Sequence, residues 1–322
     1  MSAIAVRERD VLPLAFAVTV ACHEGVLGAL DAGPRRASEL ARELELDPRA
    51  LGLLVDVLAA FDIVAAEGDT LCLGPVLTAV RRSMPRGLDG EQRFWSTLPR
   101  FLSAAQRVFS REEEAAGRPG LYAGIVPALA VMWQDAAIRL ADGLAGHGPR
   151  VLDVGCGAGT WSLELAARRT DVRVTGVDFA PVLEAFEARA RSLGLGSRVN
   201  ALAGNAHEVS PPAGAFDVAI LGNLLRLEPP PRAASLVTRA AACLAPGGQL
   251  VVVDALAHGG PRVERDRAVY ALHLGMRSPD GAVHAPALVR QWLVDAGLRD
   301  PGWLDLGEGP GALAAIRAWS RR

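Results

Sequence analysis

The chain has 322 residues, half of them hydrophobic, with 34 basic against 36 acidic side chains and a formal net charge of -2. That length can hold two domains with cores of their own, and the charge balance gives no field that would gather nucleic acid or an anionic membrane, so small partners are expected. Every basic residue is arginine, which reflects coding bias more than chemistry. Cys22, Cys72, Cys156 and Cys243 lack CxxC spacing, which argues against a zinc cage or a disulfide framework and for a reducing cytoplasm.

The apolar run from Val11 to Cys22 follows Arg7 and Arg9 like the core of a signal peptide, but Glu8 and Asp10 cancel those charges. Leu14, Val18, Cys22 and Val26 fall at helical spacing, so a buried helix is expected. No apolar run approaches the ~20 residues needed to span a bilayer. Asp31-Ala32-Gly33-Pro34 ends this helix, Ser38 caps a second and Asp47-Pro48 starts a third. Ile63 to Ala66 and Thr70 to Leu73 then form a hairpin across Glu67-Gly68-Asp69. This is the order of a winged helix, assigned to residues 1-86. Its third helix offers only Arg49 as a positive charge and carries Asp56, too little for phosphate contacts, so no nucleic-acid partner is expected. Residues 87-148 read as linking helices broken at Pro99, Pro119 and Pro127. Their aromatic residues, Trp133 among them, serve as core or as one wall of a substrate pocket.

From Arg150 short apolar runs alternate with helices. Val151 to Val154, Val172 to Val177, Val199 to Ala203, Asp217 to Leu221 and Gln249 to Val253 are the expected strands, with a final antiparallel pair between Pro301 and Trp319. Such alternation specifies an α/β domain, a mostly parallel sheet with helices on both faces, over residues 149-322.

The first of these strands runs into Asp153-Val154-Gly155-Cys156-Gly157-Ala158-Gly159. Glycines are needed where backbone passes close to a ligand or takes positive φ. A dinucleotide loop has the spacing GxGxxG, which is absent because Thr160 and Trp161 follow the third glycine. Asp178 ends the second strand 19 residues past Gly159, where a carboxylate can accept hydrogen bonds from ribose hydroxyls. Gly204-Asn205 closes the third strand, and Pro246-Gly247-Gly248 turns into the fifth.

On these residues the second half resembles a class I methyltransferase dependent on S-adenosylmethionine (SAM), whose SAM-binding domain is Rossmann-like. With the N-terminal domain added, nearly the whole chain resembles the small-molecule O-methyltransferases that dimerise through a winged helix. The resemblance implies SAM as cofactor, a small organic acceptor, a homodimer, and a place in natural-product metabolism. It gives Asp153, Gly155, Gly157 and Gly159 to the methionine end of the cofactor and Asp178 to the ribose. Asn205 and Ala206 go beside the adenine, with Phe179 and Asn223 completing the set. The family commonly has aspartate where Asn205 stands, so hydrogen bonding is kept and a charge is lost.

In this family a histidine after the fourth strand deprotonates the acceptor. Here Arg226 stands in that place, within Gly222-Asn223-Leu224-Leu225-Arg226-Leu227-Glu228, and arginine cannot act as a base. Arg226 can clamp an acceptor carboxylate or enolate, pair with Glu228 or a neighbour at the surface, or mark a reaction other than O-methylation, such as cyclisation or hydroxylation. His258 and His273 are the other candidates for catalysis, with His284 and His207 behind them, and Trp133 is a candidate for substrate contact. A ligand-sensing regulator is the alternative outside enzymes. No acidic cluster has octahedral spacing, so no metal is expected.

Overall fold

The computed structural model describes residues 11–80, 87–105, 107, 111–256, 261–307 and 313–321. Its internal contacts divide the chain into two units, Met1–Leu102 and Ser103–Arg322. The first contains α1 (Val11–His23), α2 (Val26–Asp31), β1 (Arg35–Arg36), α3 (Ala37–Glu43), α4 (Pro48–Ala60), β2 (Val64–Glu67), β3 (Thr70–Leu73), α5 (Pro75–Val80) and α6 (Gly87–Trp95). α7 (Leu98–Ala104) crosses the division. The hairpin is where the sequence puts it, β2 pairing antiparallel with β3, and β1 adds to the far side of β3. Asp47 caps α4 by accepting a hydrogen bond from the Ala50 amide at 2.8 Å. Leu27, Leu40, Leu51, Leu58 and Leu71 are buried in the common core.

Three expectations are corrected in this unit. The first helix is not continuous and is only partly buried, with Leu14, Val18, Cys22 and Val26 on the core. It breaks at Gly25, where φ is 80°, and α1 is apolar around its whole circumference, so one chain covers only part of it. Ala21 is its buried residue, while Leu12 and Phe16 remain 69% and 68% exposed. Ser38 is not a cap. α3 starts one residue earlier, and the Ser38 hydroxyl donates to Asp69. α6, grouped by sequence with residues 87-148, packs with α1 and α2 in the first unit.

The second unit begins with α8 (Arg111–Met132) and α9 (Gln134–Gly143). Pro119 and Pro127 lie inside α8 and do not break it. Each removes an N–H donor at a cost of about 3 kcal/mol, and α8 is held by packing on its neighbours, with Val126 and Ala130 against Ala158 and Val182. Next come β4 (Arg150–Val154), α10 (Ser162–Arg168), β5 (Arg173–Asp178), α11 (Ala180–Ser192), β6 (Val199–Ala203), β7 (Phe216–Gly222), α12 (Pro230–Ala242) and β8 (Leu244–Asp254). α13 (Pro261–Arg277), α14 (Pro286–Asp295), β9 (Arg299–Leu304) and β10 (Ala314–Trp319) complete the unit.

The sheet has strand order β6-β5-β4-β7-β8-β10-β9. β4 to β8 are parallel, and β10 runs antiparallel to β8 and β9. Strand side chains alternate between two cores. Val151 and Val251 face the layer containing Leu140, Leu163 and Phe186, while Leu152 and Val252 face the layer containing Leu236 and Trp292. This is the Rossmann-like architecture expected. Strand order reverses on either side of β4, and parallel sheets take ligands at the carboxyl ends beside such a reversal.

Candidate active site

Asp153 is fully buried near the end of β4. Its Oδ2 accepts a 2.5 Å hydrogen bond from the Ser162 hydroxyl at the start of α10, and its Oδ1 is buried with no partner. Burial pushes its pKa up to about 7, against the Ser162 hydrogen bond and with a small addition from Asp178. The chain leaves β4 through Gly155, Gly157 and Gly159 at φ of 70°, 56° and 70°, a left-handed path that strains other residue types. Burial also holds the Cys156 thiol well above its ordinary pKa, so the loop carries no thiolate.

Asp178 fixes this loop from the next strand. Its Oδ2 accepts from the Gly157 amide at 2.9 Å and its Oδ1 from the Phe179 amide at 2.8 Å. Each oxygen keeps a second lone pair for a ligand. After β6, Asn205 Oδ1 accepts from the His207 amide, and Arg239 on α12 donates to the carbonyls of Ala206 and Val209. An apolar cavity of about 170 Å³, lined in part by Val154, Val177, Ala206 and Leu236, lies beneath that turn.

Past β7, Asn223 takes φ 58° and buries an Oδ1 with no partner, and Leu224 lies against Gly155. Gly222 makes room for Trp161, since a Cβ there would stand 2.3 Å from the indole. Trp161 stacks on Trp133 with ring centroids 6.3 Å apart. Arg226 lies on the next turn, its guanidinium carbon 5.3 Å from the Trp133 ring and 5.0 Å from the Tyr270 ring. Its backbone amide donates to Asp254 Oδ2, while its side-chain Nη1 is 3.6 Å from Asp254 Oδ1, outside hydrogen-bond reach. The Arg226 Nε and the Trp133 Nε1 are both buried without a hydrogen-bond partner.

These positions correct one reading of Arg226. It is not paired with Glu228 at the surface. Arg226 is buried, and Glu228 bonds Arg232 at 2.7 Å and lies 3.5 Å from His207. His284 is removed from the catalytic candidates because its Nε2 sits 3.0 Å and 3.1 Å from the Leu225 and Glu228 carbonyls, in a buried position against Trp292. Burial lowers the pKa of His207 against the attraction of Glu228. His273 stacks on Tyr270 and so adjoins the Arg226 cluster. His258 lies outside the described residues. Sequence reasoning missed Ser162, Trp161, Tyr270 and Asp254. Asp254 was legible by the signal that marked Asp178, an acid closing a parallel strand. Among the described residues, no group of three or more His, Cys, Asp or Glu is placed to hold a metal ion.

Residues 151–248 match the family described as a methyltransferase domain. The chain is 24% identical over 281 residues to the tetracenomycin polyketide synthesis 8-O-methyltransferase of Streptomyces glaucescens, covering 83% of this chain and 82% of that protein. It is 33% identical over 164 residues to the ubiquinone biosynthesis O-methyltransferase of Xanthomonas axonopodis pv. citri, covering 47% and 63%. The fold matches human N-acetylserotonin methyltransferase solved in complex with SAM, with TM-score 0.69 and 19% identity over 98% and 96% of the two chains. Residues 151–248 are thus a methyltransferase domain, set in a fold shared with SAM-dependent methyltransferases. The site suits SAM, the ligand of that solved neighbour. The bare, buried oxygens of Asp153 and Asn223 are acceptors in want of donors, such as the cofactor's amino group. Asp178→Ala removes the partner of the Gly157 and Phe179 amides and is expected to weaken SAM binding about tenfold or more. Calorimetry giving equal affinity for the variant and the parent would remove Asp178 from the site.

Proposed function

We propose that the enzyme transfers the methyl group of SAM to an oxygen of a small natural-product acceptor. In this reading the loop from Asp153 to Gly159, with Asp178, Phe179, Asn205, Ala206 and Asn223, holds the cofactor, and Trp133 and Arg226 meet the acceptor. The observation that carries it is the Arg226 guanidinium, over the rings of Trp133 and Tyr270 just past the strand whose end borders the glycine loop. The relative that acts in polyketide synthesis, matched over 83% of this chain, supports an acceptor of that broad class.

SAM supplies a methyl group already activated on a positively charged sulfur. The protein has to hold an acceptor oxygen in line with that carbon and keep competing water away. Trp133 and Trp161 contribute an apolar wall, and Arg226 contributes charge and hydrogen-bond donors. Proton transfer, where an acceptor hydroxyl requires it, falls to His273. Arg226→Ala is expected to leave SAM affinity nearly intact while lowering kcat/KM for the acceptor by about tenfold to a hundredfold, and Arg226→Lys to restore little of it. Steady-state rates beside calorimetry check this, and full turnover by Arg226→Ala would end the role given to Arg226.

The same reading makes the first unit a winged-helix dimerisation domain of a cytoplasmic enzyme. Leu12, Phe16 and Val20, four residues apart on α1, form an exposed apolar stripe suited to a second copy. The four cysteines, none of them in a disulfide, suit a reducing compartment. Light scattering is expected to give a dimer for the parent chain and a monomer for Phe16→Glu. A parent chain that stays monomeric at tens of micromolar, an order-of-magnitude concentration for a specific interface, would contradict it.

A further inference from the structure

We infer that the acceptor reaches Arg226 already ionised, as the delocalised oxyanion of an acidic hydroxyl conjugated with a carbonyl, and that its methylation uses no general base. The inference rests on the O-methyl reading above and narrows its substrate class. The Arg226 Nε has no hydrogen-bond partner among the described residues, and the one carboxylate paired with the guanidinium, Asp254, stands 3.6 Å from Nη1, too far for a hydrogen bond. A buried guanidinium normally spends its donors on a carboxylate or on backbone carbonyls. Here Asp254 gives its oxygens to the backbone amides of Arg226 and Ala255, which fixes the carboxylate and leaves the cation underused. The Trp133 Nε1 is a second buried N–H in the same cluster and also lacks a partner. Two unsatisfied donors, one of them cationic, call for a ligand made of acceptor oxygens and bearing negative charge.

The surroundings favour one kind of anion. Trp133, Trp161 and Tyr270 make the cluster aromatic and low in polar groups, so a localised charge would be costly to strip of water. A vinylogous acid, in which the charge is shared between hydroxyl and carbonyl oxygens across a planar ring system, loses less hydration and offers two oxygens to two separate donors. The step then balances without a proton acceptor. A lone pair of the oxyanion forms the C–O bond as the S–CH3 bond breaks, its electron pair passes to sulfur, and the negative and positive charges cancel. This removes the need for the histidine whose place Arg226 takes. The titratable groups around the guanidinium are Asp254 on β8, Tyr270 and His273 on α13, and Glu228 with His284 beside the following turn.

The test uses the full chain loaded with S-adenosylhomocysteine and two planar probes of one size, 2-hydroxy-1,4-naphthoquinone and 2-naphthol, titrated by tryptophan fluorescence. At neutral pH the hydroxyquinone is an anion and the naphthol is not. The expected result is that the hydroxyquinone binds about tenfold or more tightly, weakens as pH falls through its own pKa, and loses its advantage in Arg226→Gln. Equal binding of both probes by the parent chain overturns the inference without recourse to a variant, as does an advantage that Arg226→Gln retains. With methyl-labelled SAM, a pH midpoint for methylation that follows each acceptor's acidity supports it. A midpoint near that of an imidazole, ~6.5, for acceptors of different acidity overturns it while leaving oxygen methylation standing. Label found only on carbon or nitrogen removes both readings.

Discussion

Asp153 places a carboxyl group out of reach of water at the end of the central strand, and the rest of the site is arranged around that burial. A lone carboxylate in such a place is unfavourable, and its pKa is correspondingly raised to about 7. Ser162 satisfies one oxygen and the other is left bare. The glycine loop starts two residues later, and Asp178 pins that loop from the neighbouring strand. A reversal in strand order beside β4 opens the crevice into which these groups converge. The buried charge is thus a local cost to the free protein, offset when a cation completes it.

A second underused charge lies past the neighbouring strand. Arg226 lies over the rings of Trp133 and Tyr270 and is held by Asp254 through its backbone more than through its guanidinium. The two charges have opposite signs and complementary needs. One oxygen of Asp153 lacks a donor, and the Nε of Arg226 lacks an acceptor. In the proposed reading, a methyl donor with a cationic end and an anionic acceptor would answer both.

Much of this architecture was legible in the sequence because it is written in local signals. The parallel strands announce themselves as short apolar runs, Gly155, Gly157 and Gly159 take a backbone geometry that few other residues tolerate, and Asp153 and Asp178 are acids at the ends of those strands. What was not legible depends on contacts between distant segments. Nothing near Arg226 in sequence points to Trp133 or Tyr270, and only the fold shows that its carboxylate neighbour is Asp254 and not the adjacent Glu228. The break at Gly25 and the exposed face of α1 were hidden for another reason. Leu14, Val18, Cys22 and Val26 mark the face packed on the core, but a helix apolar on all sides does not say that its other face stays uncovered. Ser38 misled because serine before a helix usually caps it, whereas here it reaches Asp69.

The central claim is that the buried Asp153 carboxyl is the electrostatic anchor for the cationic end of SAM. In the free protein this group is largely protonated below its pKa of about 7, and a bound cation favours the ionised form. Binding therefore expels a proton at pH values just under 7, and affinity falls as pH drops through that range. Calorimetric titration of SAM near pH 6, in buffers of different ionisation enthalpy, measures that proton directly. The account predicts release of close to one proton per SAM bound, about the whole of what a single shifted carboxyl can give, and its loss in Asp153→Asn. Binding with no proton exchange, at an affinity unchanged between pH 6 and 8, would contradict it.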